Sequence, residues 1–149
     1  MSKARRILLV EDDSRDAELT LAALEECDLA SEVVIVRDGE EALDYLHCRN
    51  GFEGRQIGNP AVTLLDLKLP KVDGLEVLKN IRASERLKLL PVVVLTSSNH
   101  ERDVTASYES GVNAYVVKPV DFGEFVKVIK QLGIFWAVNN EPPPGSLLK

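Results

Sequence analysis

The sequence predicts an α/β protein, a doubly wound, five-stranded parallel sheet with five helices on its two faces. Five short apolar runs rich in Val, Ile and Leu recur along the chain, and segments with helical spacing separate them in strict alternation. Such alternation builds parallel strands joined by right-handed crossovers. A further observation gives the sheet a working edge. Each run is followed at once by a polar or charged residue, and four of the five deliver the acids, hydroxyls and lysine of a candidate site to one edge. Open sheets of this kind collect ligands there, at the carboxyl ends of their strands.

The runs are RILLV (6–10), EVVIV (32–36), VTLL (62–65), PVVVL (91–95) and AYVV (114–117). Near-continuous hydrophobicity, rather than alternation, is what strands buried on both faces require. In DSRDAELTLAALEEC, Ala17, Leu21 and Leu24 share one helical face and Ser14 is the expected N-cap. DGEEALDYLHCRN supplies the second helix, DGLEVLKNIRAS the third with Leu75, Leu78 and Ile81 on one face, and NHERDVTASYESG the fourth. In VDFGEFVKVIKQLGIFW, the core-facing spacing falls on Phe122, Phe125, Val126 and Ile129. Val128, Ile134, Phe135 and Trp136 add apolar surface outside that stripe, which either forms an interface, as exposed patches usually do, or closes the bottom of the core. GFEGRQIGNP (51–60), with three glycines and a proline, reads as a surface loop. NNEPPPGSLLK cannot continue a helix and favours an extended polyproline form, so residues 1–138 are expected to form one domain and 139–149 a tail.

At 149 residues the chain is long enough for one compact core and short for two. A net charge of −6 argues against a nucleic-acid surface, and no apolar stretch approaches the length that spans a bilayer. Cys27 and Cys48 have neither metal-binding nor redox spacing. They read as ordinary thiols in a reducing cytoplasm.

At the predicted strand ends stand Glu11, Asp12 and Asp13 after the first, Asp66 after the third, Thr96 with Ser97 and Ser98 after the fourth, and Lys118–Pro119 after the fifth. A bare carboxylate at the end of a buried strand is costly unless it is paired or metal-bound. Two or three carboxylates with a backbone carbonyl form an oxygen site suited to Mg²⁺. A carboxylate beside such a metal can attack phosphorus, and an ammonium and a hydroxyl can neutralise the phosphoryl oxygens. Plainer roles compete for several of these residues. The acidic run can serve a helix start, Ser97 and Ser98 can cap the next helix, and His47 and His100 have no partner at ligand spacing.

The acidic pair, DLKLPKVDG around Asp66, Thr96 closing VVVLTSS, and YVVKP together resemble the receiver domain of two-component response regulators over about residues 5–134. The resemblance implies a sheet order of 2-1-3-4-5. It makes Asp66 the phosphoacceptor and Asp12 a direct Mg²⁺ ligand, with Glu11 acting mainly through water and the Lys68 backbone carbonyl completing the set. Thr96 and Lys118 would contact the phosphoryl group, Tyr115 would be the aromatic switch, and Lys118–Pro119 is the candidate cis peptide. The chain would catalyse its own phosphorylation and dephosphorylation without being an enzyme in the turnover sense. Glu-Asp stands where Asp-Asp is usual, one methylene longer.

VEDD, the extended segment 49–60, SERLKLLPVVVLTSS, GIFWAV and the proline-bearing tail are similar to the stand-alone regulators that serve phytochrome-type histidine kinases. That closer resemblance implies a phosphohistidine donor on a sensor histidine kinase, output through protein contacts, and a homodimer through the fifth strand, last helix and tail, with Phe135 and Trp136 in the interface. Rival readings are a phosphorylation-independent interaction module and an Asp-nucleophile phosphohydrolase. The second usually carries another Asp two residues after the nucleophile, where this chain has Lys68. A flavodoxin-type carrier is disfavoured by the acids in EDDSRD, and no P-loop motif occurs.

Overall fold

The computed structural model describes residues 5–146. Five parallel strands, β1 (Ile7–Val10), β2 (Val33–Val36), β3 (Val62–Leu65), β4 (Val92–Thr96) and β5 (Ala114–Val117), lie in the order β2-β1-β3-β4-β5. Helices α1 (Ser14–Glu25), α2 (Gly39–Leu46), α3 (Gly74–Ala83), α4 (Glu101–Glu109) and α5 (Phe122–Gly133) alternate with them. Fold class and strand order are those expected from the sequence.

The continuous apolar runs are explained by the two cores. Along β1, Leu8 and Val10 point to the α2/α3 side, while Ile7 and Leu9 point to the α1/α5 side. β4 divides in the same way, Val92 and Val94 against Val93 and Leu95. Successive side chains of a strand face opposite ways, so a strand covered on both faces needs apolar residues throughout. Each fully buried aliphatic side chain contributes about 1.5–3 kcal/mol.

The helix faces differ in detail from the sequence expectation. The N-cap of α1 is Asp13, whose carboxylate accepts from the backbone N–H groups of Arg15 and Asp16, so Ser14 is the first helical residue instead. Those bonds hold the Asp13 carboxyl below its usual value. The buried face of α1 carries Ala17, Thr20, Ala23 and Leu24, leaving Leu21 partly exposed. In α3 the fully buried residues are Val77, Leu78 and Ile81, with Leu75 packed at their margin. In α5, Phe125 and Ile129 are buried but Phe122 is 62% exposed, because it opens the first turn beyond the edge of the core.

α5 runs directly into a π-helical turn, Ile134–Asn139. The junction lies at Gly133, where a Cβ would meet Leu24 of α1 at 2.5 Å. The wider turn leaves Ile134, Phe135 and Val138 exposed while Trp136 packs partly into the α1/α5 core. Beyond it the chain crosses the amino-terminal edge of the sheet. The Arg5 amide donates to the Ala137 carbonyl at 3.2 Å, its guanidinium lies 3.7 Å from Glu141, and Asn59 bridges to Ser146. The 51–60 loop is closed by Arg55, which donates to the Tyr45, Gln56 and Gly58 carbonyls and stacks over the Tyr45 ring.

Candidate functional site

The carboxyl edge of the sheet brings four separate chain segments together. Asp66 follows β3, and its backbone N–H donates to the Val10 carbonyl at 3.2 Å, which sets it beside Glu11. Glu11 and Asp66 are nearly buried, whereas Asp12 is exposed. Oxygens of Glu11, Asp12 and Asp66 lie within 4.8 Å of one another. An all-oxygen donor set of this kind suits a hard divalent cation. Gly74 brings the start of α3 against this loop, donating to the Leu67 carbonyl at 2.8 Å, and a Cβ there would collide with the Asp66 carbonyl.

Lys118, carried just past β5, closes the site from the other side. Its Nζ donates to Glu11 Oε1 at 2.7 Å, Asp16 Oδ2 at 2.8 Å and Asp66 Oδ2 at 3.1 Å. Burial alone would lower the Lys118 pKa, but the bonds to Asp16 and Glu11 and the charges of Asp66 and Glu11 more than offset it and push it up. Burial pushes the Glu11 carboxyl up to about 7, even with the opposing pull of Lys118. The ammonium is therefore cationic and the carboxylates around it are crowded.

Thr96 ends β4, buried, and its Oγ1 accepts from the Ser98 amide at 3.4 Å. Ser98 Oγ donates to Asp103 of α4 at 2.6 Å, and its carbonyl accepts from the Tyr115 hydroxyl at 3.0 Å. Burial raises the Tyr115 pKa. Ser97 points to solvent. Lys68, two residues after Asp66, turns its amide toward Asp66 Oδ1 at 3.4 Å.

Glu11, Asp12, Asp66 and Lys118 thus meet as their strand-end positions suggested, with Thr96 and Lys68 on the flanking loops. One expectation fails. No peptide bond among the described residues is cis, so Lys118–Pro119 is trans. Trans is the intrinsically favoured isomer even before proline, and Lys118 keeps its amide on the Thr96 carbonyl at 2.7 Å in that form. His47 bonds to Asn80 at 3.0 Å, away from the acids. Asp16 and the Ser98–Asp103 pair were missed by sequence reasoning. Asp16 lies in the first turn of α1 rather than at a strand end, and no local pattern marks it.

Residues 7–130 match the response regulator receiver domain. The chain belongs to that family. This receiver is 42% identical over 130 residues to the response regulator Rcp1 of Synechocystis sp., covering 87% of each chain. A crystal structure of the Mn²⁺-bound form of Rcp1 superposes with a TM-score of 0.84, at 39% identity, over 93% of this chain and 99% of that one. The phosphorylated cyanobacterial phytochrome response regulator RcpA gives a TM-score of 0.87 at 38% identity, over 94% of this chain and 99% of that one. The bacteriophytochrome response regulator RtBRR is 65% identical, covering 96% of this chain and 86% of that one, with a TM-score of 0.75. Receivers of this family are phosphorylated by sensor histidine kinases, and this chain is a response regulator of that kind. Among the described residues no helix is long and apolar enough to cross a membrane.

Proposed function

We propose that this receiver takes a phosphoryl group onto Asp66 from a phytochrome-type histidine kinase. The observation that carries the reading is the single ammonium of Lys118 bonded at once to Asp66, Glu11 and Asp16 beside the three-carboxylate cluster. In the transfer an Asp66 oxygen forms a bond to phosphorus as the P–N bond of the phosphohistidine breaks. The electron pair of that bond stays with the imidazole nitrogen. Likeness to RtBRR, RcpA and Rcp1 supports the phytochrome assignment of the donor.

Glu11, Asp12, Asp66 and the Lys68 carbonyl would hold Mg²⁺, the cation this oxygen set suits. When bound, the metal supplies positive charge against the phosphoryl oxygens. The chain's own residues do the rest. Lys118 neutralises a second oxygen as a point charge, and the Thr96 hydroxyl donates to a third. Phosphorylation adds about −1.5 to −2 charges here. Thr96 is drawn inward, the Ser98 carbonyl shifts with it, and Tyr115 loses its anchor and turns into the vacated space. The populations of the face made by α4, β5 and α5 then change, and with them its affinity for partners. The same site catalyses both gain and loss of the phosphoryl group. Residues 1–138 form the receiver and 139–149 its tail, and a homodimer forms through β5, the last helix and the tail, with exposed Phe135 and half-buried Trp136 at the contact.

Intact-mass spectrometry with acetyl phosphate tests the site. One phosphoryl adduct that needs Mg²⁺ and is absent in Asp66→Asn is expected. An adduct that persists in the variant overturns the assignment of Asp66.

A further inference from the structure

An ammonium has three N–H donors and no acceptor, and on Lys118 all three are spent on carboxylates. The three acceptors are not equivalent. The bond to Asp66 is the longest at 3.1 Å, against 2.7 Å to Glu11 and 2.8 Å to Asp16. The Asp66 and Glu11 side chains are 11% and 3% exposed, whereas Asp16 is 33% exposed. Asp16 is also outside the group of three carboxylates close enough to share a cation. Its place is rigid. The N-cap Asp13 accepts from its amide at 3.0 Å, and Thr20 Oγ1 donates to its carbonyl at 2.7 Å.

A phosphoryl oxygen that is to bond Lys118 must displace one of these acceptors. Asp16 is the one that water can resolvate at least cost, being the most exposed. It also adds a partly exposed negative charge beside the ammonium that an anionic donor must reach. We propose that Asp16 is a positioning residue that holds the Lys118 ammonium back from the incoming phosphoryl group and so limits the rate at which an anionic donor phosphorylates Asp66. This rests on Asp66 being the phosphoacceptor. Lys118 exchanges Asp16 for phosphoryl oxygen while the Asp66 O–P bond forms, and the O–P bond of acetyl phosphate breaks with acetate leaving on its electron pair.

The test is the initial rate of adduct formation on the full chain, with sub-saturating acetyl phosphate and Mg²⁺, at low and high salt. Asp16→Asn keeps an oxygen acceptor for Lys118 and removes only the charge. It should phosphorylate about three- to tenfold faster at low salt. The gain should shrink toward 1 M salt, where screening acts over about 3 Å. Asp16→Glu should stay near the wild-type rate. Asp16→Ser keeps the comparison readable should the amide disturb the start of α1. A merely structural role would slow the variants or leave them unchanged, without salt dependence. An Asn rate equal to or below wild type, or an equal gain in Asp16→Glu, overturns the proposal while the wild-type adduct on Asp66 still stands. Wild type that takes up no phosphoryl group overturns the Asp66 reading and this one with it.

Discussion

The two edges of the sheet hold their cations in opposite ways. At the carboxyl edge, Lys118 is bonded to three carboxylates. At the amino edge, Arg82 donates to the carbonyls of Gly111, Lys88 and Leu90 and to the Asn113 side chain. Arg86 likewise bonds the Leu46 carbonyl and Asn59. Neutral acceptors satisfy a guanidinium without adding charge that another ligand could relieve, and the planar fork locks several loops at once. Crowded carboxylates leave net negative charge, so the lysine's partners can be traded for a cation or a phosphoryl group. One edge is a clamp, the other an exchange site.

The largest separation of the two edges is expected from Asp66→Asn, which should abolish phosphoryl uptake by mass spectrometry. Removing a crowded negative charge should leave the melting temperature unchanged or raised. A lowered melting temperature would mean that Asp66 is needed as an anchor for Lys118.

Arg82→Ala is the mirror experiment. The part-buried Leu90 carbonyl and the more exposed Gly111 and Lys88 carbonyls lose a charged donor, so about 1–3 kcal/mol of stability should be lost in urea unfolding. The phosphorylation rate of the folded chain should not change. A slowed rate would show that the amino-edge clamp and the acidic site are coupled.

A pH series sharpens the contrast further. Glu11 is raised to about 7 in the folded chain from an ordinary 4.5. The folded state therefore binds the extra proton, and its stabilisation is complete below about 4.5 and lost as pH rises through about 7. In chelator, stability should fall across that window, and Mg²⁺ should flatten the slope. Asp66→Asn should weaken the trend, since the Asp66 charge is among the causes that raise Glu11.

The smallest effect belongs to Tyr115→Phe, which removes the hydroxyl bond to the Ser98 carbonyl. It should cost about 0.5–1.5 kcal/mol of stability. It should also make any phosphorylation-dependent association more complete at a given degree of phosphorylation, measured by static light scattering. An unchanged association curve would place the switch elsewhere.

Residues were legible in the sequence where one rule governed them. β3 was found at its observed limits because burial on both faces demands an unbroken apolar run, and β5, a half-buried edge strand, because its short β-branched and aromatic run stands between turn residues. Glu11, Asp12, Asp66, Thr96 and Lys118 were found because polar groups directly after such runs fall on one edge. Asp16 was not, since its partner is 102 positions away and nothing local marks a helical Asp as facing a lysine. Phe122 had the right helical phase but lies one turn beyond the core, which periodicity alone does not register. The Arg82 clamp acts on backbone carbonyls, which every residue owns, so no side-chain pattern announces it.

The strap formed by Arg5, Ala137, Glu141 and the Asn59–Ser146 bridge brings both ends of the described chain to the amino edge of the sheet. A reporter fused ahead of Arg5 or beyond Ser146 therefore starts from the far side of the molecule from Asp66. Fluorescent fusions at either end leave the acids open to a donor, and a pair of them on one chain reads the strap itself rather than the phosphorylation chemistry.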